Sequence, residues 1–136
     1  MRASVEAVEA LIAREHERGV PGERIVLAGF SQGGAIALAA GLRHAQRLAG
    51  IVALSTYLPL ADTLATERSP ANAQAPIFWG HGTMDPVVAL QRGLDSRAAL
   101  EALGYAVDWH TYPMPHSVCA EEIADLRRWF DARLAG

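Results

Sequence analysis

Three side chains in this sequence have the types and local settings needed for acyl transfer. Ser31 lies in Gly29-Phe30-Ser31-Gln32-Gly33, between the apolar run Arg24–Ala28, which suits a strand covered on both faces, and the helix-forming run Ala35–Ala40. A strand that reverses into a helix so sharply strains its central residue, and Gly29 and Gly33 are expected to supply the clearance that the close approach demands. Gly34 lets the helix pack closer still. The turn lifts the Ser31 hydroxyl above the sheet, and the Gln32 amide, in the first helical turn, points at the same space, where it can donate to a developing oxyanion. The string alone is also that of an ordinary tight strand–helix turn. A serine hydroxyl is a poor nucleophile, so catalysis requires a histidine to take its proton and a carboxylate to orient that histidine. Asp85 and His116 stand in the right order for both roles. Asp85 follows the strand-like Pro76–Trp79 and a glycine-bearing loop, and His116 follows the strand-like Tyr105–Thr111 in Tyr112-Pro113-Met114-Pro115-His116. Both loops are expected at the carboxyl edge of a parallel sheet, where residues distant in sequence converge.

The elements that must position these groups are four strands, near Val26, Ile51, Ile77 and Val107, and helices at about 3–18, after Ser31, at 87–103 and at 118–134. Val5, Val8, Leu11 and Ile12 make an apolar face on the first helix, and Ile123, Leu126, Trp129, Phe130 and Leu134 make one on the last. Ala61–Ala75, rich in alanine, threonine, serine and asparagine, reads as an irregular loop over the sheet. Competing acids are weaker candidates. Asp62 reads as a helix cap, Asp108 falls inside a strand, and Asp95, Asp125 and Asp131 fall in helical patterns as solvated charges. Among the other histidines, His16, His44 and His110 read as structural, and His81, flanked by glycines, as the donor of a loop-fixing hydrogen bond.

Composition bounds the function. At 136 residues the chain is expected to form one domain, residues 1–136, and 51% hydrophobic with 20% charged residues suffices for a packed core. The net charge of −3 comes from 15 acids against 12 basic residues, all arginine, which leaves no basic field for nucleic acid or an anionic membrane. The single cysteine, Cys119, excludes an internal disulfide and suits a reducing compartment; a cytoplasmic location is expected, with no membrane span. His81, Asp85 and His116 lack the spacing of a metal site, and Gly29-x-x-x-Gly33-Gly34 is neither a phosphate loop nor a dinucleotide fingerprint, so no metal and no cofactor are expected.

Gly-Phe-Ser-Gln-Gly-Gly at 29–34, Leu-Ser-Thr-Tyr-Leu-Pro at 54–59, His-Gly-Thr-Met-Asp-Pro-Val-Val at 81–88 and Tyr-Pro-Met-Pro-His at 112–116 together resemble the bacterial carboxylesterases of the phospholipase/carboxylesterase family, close relatives of acyl-protein thioesterases. The resemblance runs from about residue 3 to the end. It implies an α/β-hydrolase fold with Ser31 as nucleophile, Asp85 as orienting acid and His116 as general base, and an acyl site lined by Tyr57, Leu58, Pro59 and Met114. In one departure Pro115 replaces the family's usual glycine before the histidine, which stiffens that loop. In another, the family's first strands, and the His-Gly-rich loop that gives the second oxyanion amide, have no counterpart here. The expected fold is therefore a truncated α/β-hydrolase of about four parallel strands whose Ile25–Leu27 edge lies open. An open apolar edge is an association hazard, and a homodimer through it is the simplest closure. Two function classes follow: a serine carboxylesterase for small acyl esters, working through an acyl-enzyme, or a catalytically silent binding module or fragment of a longer esterase.

Overall fold

The computed structural model describes residues 1–134. They form α1 (Arg2–Glu17), β1 (Val26–Phe30), α2 (Gln32–Gly41), β2 (Gly50–Leu54), α3 (Ala61–Glu67), β3 (Ile77–Gly82), α4 (Leu90–Ala102), β4 (Val107–Tyr112) and α5 (Ala120–Leu134), with short 3-10 turns at Gly22–Arg24 and Pro70–Asn72. The four strands pair in parallel in the order β1-β2-β3-β4. All strands therefore point the same way, and the loops that follow them share one edge of the sheet.

Alternation along each strand sends successive side chains to opposite faces. On one face Ile51, Ala53, Ile77 and Trp79 pack with Ala37 and Leu38 of α2, Leu42 just past its end, Leu64 of α3 and Leu100 of α4. On the other, Val52, Leu54 and Phe78 pack with Leu126 and Trp129 of α5. Cover on both faces explains why β2 and β3 are wholly buried and read as continuous apolar runs. β1 is half-exposed, because no strand among the described residues pairs with its outer edge.

Several boundaries depart from the sequence reading. β1 begins at Val26 and runs to Phe30, since Arg24 closes a 3-10 turn in which Ile25 N–H donates to Gly22 O. α4 begins at Leu90 rather than Val87, because the Val87 and Val88 amides are held by Asp85. The expected loop over Ala61–Ala75 contains α3 and a 3-10 turn. α3 is fixed from outside itself: Leu64 is fully buried, and Arg43 donates to Glu67 at 2.9 Å and to Leu60 O at 3.0 Å. Its cap position is Leu60, in the left-handed region at φ 52, and Asp62 sits inside the first turn. The apolar stripe of α5 is turned by one residue. Glu122, Leu126 and Trp129 are buried at helical spacing, whereas Ile123 is 54% exposed. On α1 only Ile12 is buried, and Leu11, 57% exposed, faces the groove beside the open β1 edge.

Candidate active site

β1 ends at Phe30 and α2 begins at Gln32, so the whole reversal falls on Ser31, at φ 57, ψ −121. A non-glycine residue held there stores about 1–3 kcal/mol of strain, and the surroundings hold it. Ser31 N–H donates to Leu54 O at 2.8 Å, and Ser31 O accepts from Thr56 Oγ1 at 2.6 Å and Ala35 N–H at 3.2 Å. A Cβ at position 29 would come well inside 3.0 Å of the Gly33 carbonyl group, and one at 34 would meet Thr56 Cγ2 at 2.8 Å and Gly29 O at 2.9 Å. Gly29 and Gly34 are thus sterically required. Gly33 is not: a Cβ there meets nothing within 4 Å, so the clearance expected of the pair rests on Gly29.

The loops after β3 and β4 bring Asp85 and His116 to the serine. His116 Nδ1 lies 2.7 Å from Asp85 Oδ2, and Nε2 lies 3.0 Å from Ser31 Oγ. With the carboxylate accepting the Nδ1 proton, the bare Nε2 faces the serine hydroxyl and can take its proton. The Phe30 ring lies against the imidazole, centroids 4.7 Å apart. Asp85 is held as tightly on its other oxygen, where Oδ1 accepts from Val87 N–H at 2.8 Å and Val88 N–H at 2.9 Å. Burial opposes the charged form, but the hydrogen bonds from His116, Val88 and Val87, with the attraction of His116, outweigh it and keep the carboxyl below the usual aspartate range.

His81 supports this loop from below. It is fully buried, Nδ1 accepting from Trp79 Nε1–H at 3.3 Å and Nε2–H donating to Val88 O at 2.8 Å. Val88 is thus held at both main-chain groups, its carbonyl by His81 and its N–H by Asp85. Position 93 must be glycine for the same reason, as a Cβ there would sit 2.7 Å from His81 Nδ1.

The remaining residues singled out in the sequence fall in three places. Gln32 is exposed beside Ser31, its amide in the first turn of α2, where helical N–H groups lack intrahelical acceptors. Tyr57 and Leu58 border a separate hollow of about 190 Å3 with Ala61, Arg92 and Ser96, which none of Ser31, Asp85 and His116 lines. Leu58 N–H donates to Ser96 Oγ at 2.9 Å and the side chain joins the core, while the Arg92 guanidinium stacks 3.8 Å over the Tyr57 ring. Met114 is buried in the His116 loop, and Met84 N–H donating to Met114 O at 3.1 Å ties that loop to the one bearing Asp85. Asp125, expected in solvent, is partly buried and accepts Tyr112 O–H at 2.6 Å. His44 pairs with Glu9 at 2.9 Å. Two residues that the sequence reading does not single out matter to the site: Thr56, which ties the elbow, and Glu122. Among the described residues, no three His, Cys, Asp or Glu side chains are grouped to hold a metal ion, and no helix is long and apolar enough to cross a membrane.

A family model described as Phospholipase/Carboxylesterase matches residues 1–133. An acyl-protein thioesterase 1 of Cryptococcus neoformans is 41% identical over 143 residues, 95% of this chain and 60% of that protein. One of Gibberella zeae is 45% identical over 127 residues, 91% of this chain and 54% of that protein. The crystal structure of Arabidopsis thaliana SOBER1 superposes with a TM-score of 0.91 at 30% identity, over 96% of this chain and 62% of that one. The Bacillus cereus carboxylesterase shares the fold, with a TM-score of 0.78 at 23% identity, over 96% of this chain and 59% of that one. The chain spans about 60% or less of the curated relatives it matches here. These two relatives are fungal, so they do not support the narrower resemblance to bacterial members.

Proposed function

We propose that this chain, which belongs to the phospholipase/carboxylesterase family, is a serine hydrolase that cleaves small, short-chain acyl esters through an acyl-enzyme, within a single domain. One observation carries the reading: His116 bridges Ser31 Oγ and Asp85 Oδ2 at 3.0 and 2.7 Å, with the serine held at the strained elbow. In the proposed reaction His116 Nε2 removes the Ser31 proton as Oγ bonds to the ester carbonyl carbon. Asp85 holds the resulting imidazolium by its Nδ1–H, and the Gln32 N–H steadies the oxyanion. As the tetrahedral intermediate collapses, the carbon–oxygen bond to the alcohol breaks, and His116 returns its proton to the departing oxygen. Water then repeats the sequence on the acyl-serine. A single oxyanion donor costs about 10²–10³ in rate unless a second is supplied. The test is hydrolysis of p-nitrophenyl butyrate, with mass spectrometry of the trapped intermediate. One butyryl group on the peptide containing Ser31 is the expected result; a folded chain that neither turns over ester nor acylates Ser31 is a silent module instead.

The open β1 edge is the proposed site of a homodimer. Val8, Leu11, Ile12, Ile25, Leu27 and Ile36 border an apolar groove of about 320 Å3 along it, with Glu15 the one charged residue there. A strand edge is self-complementary, since two copies of Val26–Phe30 related by a two-fold axis can satisfy each other's free main-chain groups. Sizing the active species is expected to give a discrete two-copy assembly that Leu11→Glu reduces to one copy; a fully active single copy overturns this. The lone Cys119 fits the reducing, cytoplasmic setting proposed with it.

A further inference from the structure

Glu122, in the first turn of α5, is fully buried, and neither carboxylate oxygen has a hydrogen-bond partner within the protein. Its place is made by a missing side chain. A Cβ on Gly80 would come well inside 3.0 Å of Glu122 Oε2, so the carboxyl group fills the niche that glycine leaves in β3. The same residue leads toward the active site. Gly80 O accepts Ser55 N–H at 2.8 Å, and the buried Ser55, itself at φ 51, directs its hydroxyl at Ser117 O, 3.4 Å away, one residue from His116. α5 begins four residues after His116, its first turn closed by Ile123 N–H to Cys119 O at 3.1 Å. Glu122 therefore seats the start of the helix into which the 116–119 turn, bearing the imidazole, leads.

Glu122 forms no salt bridge and no hydrogen bond among the described residues. Asp125 faces it from α5 and His110 and Tyr112 from β4, and Leu54 of β2 borders the same niche. His110 is directed to Asp108 at 3.0 Å and Asp125 at 3.7 Å, and Asp125 is engaged by Tyr112 and Arg128. An unpaired carboxylate in such a place is expensive. We propose that Glu122 is a positioning residue: as a neutral acid it holds the 116–119 turn that presents His116 to Ser31, and its ionisation loosens that turn. Burial first, then the negative charge of Asp125, push the Glu122 carboxyl up to about 7, with His110 pulling the other way. A carboxyl raised in the folded state stabilises fully below its unfolded value of 4.5, and that contribution is lost as pH rises to about 7.

The kinetic half of the inference rests on the esterase reading; the structural half does not. The native chain and the isosteric Glu122→Gln are compared from about pH 4 to about pH 9 by thermal midpoint, His116 imidazole NMR, and kcat and KM for p-nitrophenyl butyrate. The native midpoint is expected to fall relative to Glu122→Gln between about 4.5 and about 7. Beyond the imidazole's own protonation, which both proteins share, the native His116 resonances should show a second transition near 7 that the variant lacks, and native kcat should fall about tenfold per pH unit above it, with KM unchanged. Gly80→Ala, whose Cβ would displace the Glu122 carboxyl, should loosen His116 at every pH. Superimposable midpoint and His116 profiles for native and Glu122→Gln overturn the proposal. If those profiles differ while neither protein hydrolyses ester, the positioning role stands and the esterase reading falls.

Discussion

Ser31→Ala is expected to lower kcat for p-nitrophenyl butyrate by roughly 10⁶, and Asp85→Asn by roughly 10⁴, with both chains still folded; these magnitudes are those of triad removals in other serine hydrolases. The alanine removes the nucleophile and leaves only binding and the Gln32 amide. The asparagine acts through proton placement. Asp85 Oδ1 accepts two main-chain N–H groups, from Val87 and Val88. An amide NH2 cannot face those donors, so the oxygen of the introduced amide must stay there and its nitrogen must take the Oδ2 position, 2.7 Å from His116 Nδ1. Donation into Nδ1 forces the proton onto Nε2, which then points a hydrogen at Ser31 and cannot accept one. The distinction is measurable by comparing kcat with the thermal midpoint of each variant. Since Asp85 is held below its usual range, its charge stabilises the native chain at neutral pH, and that advantage over the asparagine variant is lost as pH falls through the folded value. Losses below about tenfold in kcat would remove Ser31 and Asp85 from the chemistry.

What can be read from the residues is what local chemistry encodes. The elbow, the four strands and the loops bearing Asp85 and His116 follow from short runs: apolar residues, then glycines, then one polar group. What cannot be read depends on partners far along the chain. α3 is seven residues with Leu64 as its buried residue, and its hold comes from Arg43, 24 residues before Glu67. The course of Tyr57 and Leu58 is set by Ser96 on α4, 38 residues beyond Leu58, which draws that loop toward the core. The α5 stripe differs by one residue because helical spacing assigns the apolar Ile123 to the core, whereas the niche above Gly80 admits a longer, polar side chain. A glycine in a strand of large buried residues is the available signal for that niche.

The two glycines of the serine motif should respond oppositely to the same methyl group. Gly29→Ala drives a Cβ into the main chain of Gly33 and Gly34, neither of which can rotate away as a side chain would. α2 must then retreat from β1, breaking the Thr56 and Leu54 bonds that hold Ser31 at its strained angles. A loss of about 3 kcal/mol is expected from the overpacking, together with at least about 10² in kcat from displacement of the nucleophile. Gly33→Ala meets open space at a helical position, so it should raise stability by about 1 kcal/mol through helix propensity alone, with the elbow untouched. Denaturant titration of both variants checks the contrast, and equal losses would mean that the elbow is not packed as described. Gly33 also borders the groove beside β1, where the added methyl would take up space. If a second copy fills that groove, the gain seen in the isolated chain must turn into a loss under conditions that favour assembly. The protein-concentration dependence of the Gly33→Ala effect thus tests the edge contact without touching the strand that forms it.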